Sequence, residues 1–547
     1  MRQLSHRYAT TTARRTAAAA LTWLLLLAPV AGAAEVSTTA GNGVDEIKDL
    51  SELGVTVTDG EARLRLEDAV SAALRRNLFL IVERYRRSQT IQGIEEALGI
   101  YDLNLGADST YSENTSPTSS TLEAAEVLVT DRLSANVNLS QLTPYGGVAS
   151  LAFLNSRFAS SNAFVQPNPQ FGVTFGLQFD QPLLRNFGRE VTDQGILIAR
   201  TNTAISREDF QTQVEGIIQQ VSDTYWQLVE AREQLTVAEE SLSLAEDLHK
   251  MNKIQVEVGT MAPLETVQSE AGVATREEDI IRRQAAVEDS ADALRRLVNL
   301  DRLELWDVGI VPVTEPEIEH VAIDVGEAID VALENRPDVR RQRLVIKNSE
   351  LEARVAHNQK KPRLDLQANY GLNAVDGDLS DPETGVLVEP GGYSDALQQI
   401  LDIDFDGWSV GLTFAYPLQN RTARARSVRA DLALEQVDVE LRDLEQGVVA
   451  EVRRTARAVE TAAKQIESAK VSSRLARENL NAEQKRYENG LSTSFQVLEI
   501  QEDLSQARSR EVSAVIAYRR ALTDYQRSVG RLLDTYGVEL ASDGAEE

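Results

Sequence analysis

Two stretches of this chain are so long and so free of breakers that they constrain everything else. Residues 204 to 300 and 424 to 536 are rich in Ala, Glu, Gln, Arg and Leu, hold almost no proline, and carry one clear breaker each near the middle, Gly259 and Gly490. In both, a Thr or Ser and an apolar residue follow and restart a helix. Each stretch is predicted to be a helical hairpin, with tips at Val256 to Leu264 and Tyr487 to Phe495. An arm of about 45 residues rising about 1.5 Å each would run roughly 65 Å, some twice the thickness of a bilayer's hydrocarbon layer. The rest of the chain reads as a base for these hairpins.

The chain is a tandem duplication. Leu66 and Val325 open helices that match without a gap at an offset of 259: Ala69 with Ala328, Ala73 with Ala332, Leu105 with Leu364, Tyr111 with Tyr370. The hairpins match at an offset of 231, Val221 with Val452, Gly259 with Gly490 and Val298 with Val529. Between helix and hairpin the hydrophobic period changes from 3.6 to 2. Phe171, Val173, Phe175, Leu177 and Phe179 alternate with Gly172, Thr174, Gly176, Gln178 and Asp180; Trp408, Val410, Leu412 and Phe414 do the same in the second copy. Each half is therefore helix, strand, strand, long hairpin. The offset falls from 259 before the strands to 235 after them, which leaves 24 extra residues in the first copy. They too have strand form. Leu133, Ala135, Val137 and Leu139 alternate with polar residues, and a Thr143-Pro144-Tyr145-Gly146-Gly147 turn leads into Ala149, Leu151 and Phe153. This predicts an additional hairpin, either in a membrane wall or outside the membrane.

Polar-and-apolar strands of this kind suit a membrane barrel with a wet interior or a soluble sheet packed on the helices. Four strands cannot close a barrel alone, so a barrel requires an oligomer. Residues 113 to 130, 155 to 170 and 373 to 406 are rich in Ser, Asn, Pro, Gly and Asp and read as loops. Residues 34 to 63 read as a polar, weakly patterned leader, either flexible or ordered on contact, and 537 to 547 as a disordered acidic tail. The two repeats then occupy 64 to 322 and 323 to 536. Residues 1 to 33 have the form of a Sec signal peptide: Arg2, Arg7, Arg14 and Arg15, an apolar run from Ala17 to Val30, and Ala31-Gly32-Ala33 for cleavage. Its removal takes the formal charge from -29 to -33 by loss of four arginines. Such acidity makes nucleic acid an unsuitable partner. With 0 cysteines, disulfides, thiolate metal sites and an acylated N-terminal cysteine are all excluded.

No catalytic constellation emerges. Gly407-Trp408-Ser409-Val410-Gly411 spells G-x-S-x-G, but Ser409 falls inside an alternating strand and no histidine follows His357, so a hydrolase elbow is not expected. His249, His320 and His357 are isolated and lack metal-ligand spacing. Neither an enzyme nor a cofactor is expected.

These residues resemble the TolC family of outer-membrane efflux proteins over about residues 60 to 536. The resemblance rests on the signal peptide, the duplicated opening Leu-Glu-Asp-Ala-Val-Ser-Ala-Ala-Leu-Arg-Arg-Asn at 66 to 77, the strand endings Gln181-Pro182-Leu183-Leu184 and Tyr416-Pro417-Leu418, and the tip Tyr487-Glu-Asn-Gly490-Leu491-Ser492 followed by Phe495-Gln-Val-Leu498. It implies a mainly helical protomer with membrane strands. Three copies would share an outer-membrane β-barrel, four strands each, continued by a periplasmic α-helical barrel that meets an adaptor protein and an inner-membrane pump. The function implied is a passive exit duct; the competing expectation is a periplasmic coiled-coil adaptor, which would have one hairpin between halves of a lipoyl-like domain. The family's closed end is narrowed by acidic residues and tied by a tyrosine and an arginine. Position by position, the tyrosine is Tyr487 and the second acid is Glu499, while Gln496 stands at the first acidic position and Ser492 at the arginine. Gly259, Thr260, Gly490, Leu491 and Ser492 become the adaptor-facing tip residues.

Overall fold

A computed structural model describes residues 56–58, 61–117, 127–162, 164–299, 306–318, 322–381, 384 and 386–540. The signal segment, residues 34 to 55 of the leader and 541 to 547 of the tail lie outside the described residues. The first repeat begins with β1 (Thr56–Thr58) and β2 (Glu61–Leu64), then α1 (Leu66–Arg76) and α2 (Leu78–Leu98), four strands β3 (Asn104–Pro117), β4 (Val127–Leu142), β5 (Val148–Ser160) and β6 (Gln170–Pro182), the long α3 (Gln194–Glu257), α4 (Pro263–Val298) and β7 (Gly309–Pro312). The second repeats the plan with α5 (Val325–Asn335), α6 (Pro337–Asn358), β8 (Arg363–Gly377), a ribbon of β9 (Leu379–Ser380) and β10 (Leu387–Glu389), α7 (Tyr393–Asp402), β11 (Asp406–Ala415), α8 (Arg421–Glu488) and α9 (Ser494–Ser528).

Six strands form one antiparallel sheet in the order β11-β8-β6-β5-β4-β3. The additional hairpin, β4 and β5, is therefore in the same sheet as the repeated strands. Cross-strand register explains why. Leu105, Leu139, Leu151, Leu177, Tyr370 and Trp408 stand opposite one another in a single row across all six strands. The next row, on the other face, is Gly106, Asn138, Ala152, Gly176, Gly371 and Gly407. A slip of one residue in any strand would put its apolar set on the polar face. The apolar face stays largely bare, with Trp408 76% exposed, except where α7 seats Ala396 and Ile400 against Val173, Leu372 and Ala374. The strands run on through 113–117, 127–130, 155–160 and 373–377, which the composition marks as loop. Ladder hydrogen bonds continue there although many of the side chains are polar, Val127, Leu128 and Val129 being among the exceptions. Ser409 is in the middle of β11 and takes a bond from Asn369 Nδ2 at 3.3 Å.

The hairpin arms are unequal, contrary to the matched arms expected. The descending helices α3 and α8 hold 64 and 68 residues, the returning α4 and α9 only 36 and 35. The shorter arms are completed by α2 and α6, so that at one level the helices lie in the order α2-α3-α6-α8 and at the other α4-α3-α9-α8. The helix expected from Leu66 to about Ile100 is thus two helices. Its break is built by Asn77, whose buried side chain accepts from Phe79 and Leu80 N–H and donates to Leu297 O at 3.0 Å. In the second copy Pro337 enforces the same break at Arg336, whose guanidinium reaches Ser528 O at 3.1 Å.

The repeat is visible in the interior. Around the first break Leu66, Ala69, Val70, Val221, Tyr225, Trp226, Leu294 and Val298 form the largest core; Ala328, Ala332, Val452 and Val529 form its smaller twin. Burying one such large side chain contributes about 1.5–3 kcal/mol. The end of the leader joins this core: β2 pairs with β7 in parallel, and Tyr225 Oη donates to Leu64 O at 3.0 Å. Val538 and Leu540 pack on it as well, so the tail is held as far as residue 540.

Candidate functional site: the paired helix tips

Each hairpin turns through a glycine in the left-handed region, Gly259 at φ 77° and Gly490 at φ 72°. The caps are alike. Gly259 N–H bonds Val256 O and Thr260 N–H bonds Gln255 O; Gly490 N–H bonds Tyr487 O and Leu491 N–H bonds Arg486 O, at 2.8–3.0 Å. This is the Schellman arrangement, which satisfies the last carbonyls and needs a residue without a Cβ penalty. Nothing lies within 4 Å of where a Cβ would stand on either glycine. Pro263 at the start of α4 and the Thr493 side chain, which accepts from Gln496 N–H at 3.3 Å, restart the helices.

All five sequence-predicted tip residues are at these turns. Gly259, Thr260, Gly490 and Leu491 are exposed, and Ser492 is half-buried. Val258, Leu264, Val267, Leu491 and Phe495 form an apolar rim, Leu491 70% and Phe495 62% exposed. Of the gate candidates, Tyr487 is 5% exposed and packs among Leu248, Leu480, Val497 and Leu504. Its hydroxyl donates to Asn252 Oδ1 on α3 and lies 3.6 Å from Met261 Sδ. Burial first, and then the nearby Glu265 charge, push the Tyr487 hydroxyl above the ordinary tyrosine range, so it stays a donor. Gln496 and Glu499 are exposed on α9. Gln496 Oε1 accepts from Ser492 Oγ at 2.9 Å. The structure brings Ser492 and Gln496 together with Glu483, and leaves Glu499 outside that cluster.

Several residues joining the two hairpins were not picked out by sequence. Ser494 Oγ donates to Glu265 on α4, Gln501 Nε2 to Leu244 O at 3.0 Å, and Arg276 Nε to Ser241 Oγ at 3.0 Å while its Nη2 lies 3.9 Å from Glu502. Burial lowers the Arg276 guanidinium, opposed by the Glu502 charge. One signal was available: Asn252 and Glu483 are 231 apart and occupy the same repeat position, each a polar residue within the apolar stripe seven residues before its glycine. Both are buried. The site holds two hairpins together by polar links and offers an apolar rim at its end, which suits closure and docking rather than bond chemistry.

The sequence pattern of the family described as outer membrane efflux protein matches residues 118–300 and 328–531, one match in each repeat. No curated protein matches the chain. Among solved structures it is similar to the CmeC outer membrane channel of Campylobacter jejuni, 14% identical with a TM-score of 0.61 over 88% of this chain and 87% of that one. It is similar also to VceC of Vibrio cholerae, 15% identical, TM-score 0.60, over 85% and 96%. A third is the open state of the MtrE channel of Neisseria gonorrhoeae, 16% identical, TM-score 0.57, over 86% and 89%. These likenesses carry the fold, an outer-membrane β-barrel continued by an α-helical barrel, and with the family match covering well over half the chain they leave one assignment: this protein belongs to the outer membrane efflux protein family.

Proposed function

We propose that three copies of this chain form the outer-membrane exit duct of a tripartite efflux or type I secretion system, passively conducting what an inner-membrane transporter delivers through a periplasmic adaptor. One observation carries the oligomer. An apolar belt crosses all six strands and ends at two edges, β3 and β11, that have no partner strand among the described residues and that lipid cannot satisfy. An even number of antiparallel strands makes those edges run in opposite directions, so β3 of one copy meets β11 of the next in the same antiparallel sense as every other pair. The helices then extend into the periplasm, after export directed by residues 1 to 33. A lone adaptor hairpin between lipoyl-like halves does not describe this two-hairpin, six-strand chain.

The periplasmic end is the proposed gate. Tyr487 ties α8 to α3 within a protomer, Glu499 supplies the charge at the mouth, and Gln496 a neutral polar neighbour. The glycine turns with their apolar rim accept the adaptor's helices. Native mass spectrometry in mild detergent tests the assembly: a trimer is expected, and a stable membrane-embedded monomer refutes it.

A further inference from the structure

Resting on the duct reading, we propose that α7 is a membrane-surface helix on the lipid side of the barrel wall, seated in the outer leaflet, whose free lower flank binds the acyl chains of outer-leaflet lipid. Register sets the face. Ala396 and Ile400 of α7 pack on Val173, Leu372 and Ala374, which belong to the rows of the apolar belt and not to the rows that face a wet lumen. The same rows set the level. On β4, β5, β6 and β8 the row of Leu139, Leu151, Leu177 and Tyr370 carries no charged or amide side chain, and neither does the next one outward, Val137, Phe153, Phe175 and Leu372. The row beyond, further from the helices, places Asn155 among Ala135, Val173 and Ala374, and the last places Arg157 and Asp376 beside Leu133 and Phe171. Polar groups therefore enter the lipid side over β5 and β8, where hydrocarbon cannot satisfy them. Two of the three are met by α7. Tyr393 Oη donates to Asn155 Oδ1 at 2.7 Å, and Gln399 Nε2 to Asp376 Oδ2 at 2.8 Å.

Those contacts also orient the helix. Its start lies over β5 and β6, where the Tyr393 ring stands edge-on to that of Phe171 at 6.5 Å. Its end lies over β8, where Val375 N–H donates to Gln399 Oε1 at 3.3 Å. The 10 residues of α7 are too few to span a bilayer, and at about 1.5 Å each they cover about 15 Å, some three strand spacings. The helix thus crosses the strands instead of following them, as a helix in a membrane surface does. At about 100° per residue, Gln399 and Leu401 fall on opposite flanks of Ile400. Gln399 is turned to the outer end of β8, so Leu401 is turned down toward the belt, with Leu397 on the same flank. Asp395, Gln398 and Asp402 point away from the sheet and are exposed. Leu401 is 68% exposed and continues the belt without a break, so its occupant is the belt's own, hydrocarbon. The end of α7 is pinned as well. Ile403 takes a left-handed backbone, φ 59°, which a β-branched side chain disfavours; Asp404 N–H bonds Gln399 O at 3.2 Å, and Asn373 N–H bonds Phe405 O at 3.0 Å. Lipid contact consequently stops lower over β5, β6 and β8 than over β4, where Leu133, level with Arg157, stays uncovered and exposed. In a trimer that gives the outer rim three low sectors, which fix how deep the wall can sit.

The chain has 0 cysteines, so single spin labels can be attached to the full-length protein reconstituted in vesicles of phosphatidylethanolamine and phosphatidylglycerol. Labels at Leu401→Cys, Gln398→Cys, Val137→Cys on the bare belt and Thr174→Cys on the lumen face are relaxed by oxygen, which concentrates in hydrocarbon, and by a water-soluble nickel chelate. Leu401 is exposed, so its substitution disturbs no packing. The oxygen-to-nickel ratio at Leu401→Cys should equal that at Val137→Cys, with Gln398→Cys lower and Thr174→Cys lowest. A ratio at Leu401→Cys as low as that at Thr174→Cys would put this flank in water and overturn the proposal. Shielding from both reagents would mean that a second copy covers it, and overturns the proposal equally. If Val137→Cys itself favours nickel, the barrel reading fails and the helix with it, a result distinct from either of the others.

Discussion

Replacing Tyr487 by Phe removes one oxygen atom and tests the proposed gate. In the structure that hydroxyl donates to Asn252 Oδ1, and Asn252 is fully buried, its Nδ2 donating to Glu265 O at 3.3 Å. Phenylalanine fills the same space among Leu248, Leu480, Val497 and Leu504, so packing is kept while a buried acceptor loses its donor. Leaving such a group unsatisfied costs about 1–3 kcal/mol. When the hairpins part, water reaches both groups, so the cost falls on the closed state alone. Each protomer's closed-to-open ratio should drop about 5- to 150-fold, and if three protomers open together the effects sum to about 3–9 kcal/mol, at least about a hundredfold in open probability. Single-channel recording on reconstituted protein reads this as longer and more frequent open dwells. The thermal unfolding midpoint should change little, because the lost bond is at one end of the molecule. An open probability equal to the wild type's would refute the assignment of this tie to the gate.

Glu499→Gln should reduce cation preference and alter conductance, since in the proposed trimer three like charges near one axis would attract cations; if instead only Glu265→Gln changes them, the charge at the mouth belongs to the first hairpin. Trp226→Ala empties a fully enclosed site in the largest core and should cost about 3–5 kcal/mol, read as a fall in the denaturant midpoint; an unchanged midpoint would mean that this core is not the keystone. Gly490→Ala meets no atom but forces a left-handed backbone, costing about 1–2 kcal/mol locally. Hydrogen exchange should show faster opening of the second tip with the first unaffected.

The hairpin tips, the repeat and the six strands were legible because each rests on a local rule: a left-handed glycine, a fixed offset, a period of two. Even the inserted hairpin announced itself as a step in the offset from 259 to 235. What pattern could not give was partnership. The break at Asn77 has no proline beside it, and the asparagine that caps the second helix is fixed in place by a carbonyl 220 residues away. The unequal arms were hidden because α3 and α8 continue helical composition past the point where their partner changes. At the tip, Tyr487 was accessible through resemblance and Asn252 only through its repeat partner Glu483, whereas Ser494 and Arg276 reach the other hairpin at separations of more than 200 residues and nothing adjacent to them in sequence marks the contact. The tail misled for a related reason, since Val538 is ordered by a core made elsewhere, the same core on which β2 of the leader is ordered by contact.

The unequal arms have a mechanical consequence. In each repeat the continuous pole, α3 or α8, passes a butt joint where two shorter splints meet end to end, near Asn77 and Leu297 in one copy and near Arg336 and Ser528 in the other. Repeat symmetry sets both joints at one height, and the strap of β1, β2 and β7 together with Tyr225 clamps the first of them. A pole resists bending but turns easily about its own length, so torsion applied at the tips can be absorbed beneath the joints while the splints above keep the sheet in register. The height of the joints therefore divides a part that twists from a part that stands still, and amide exchange should change abruptly across it when the tips are forced open.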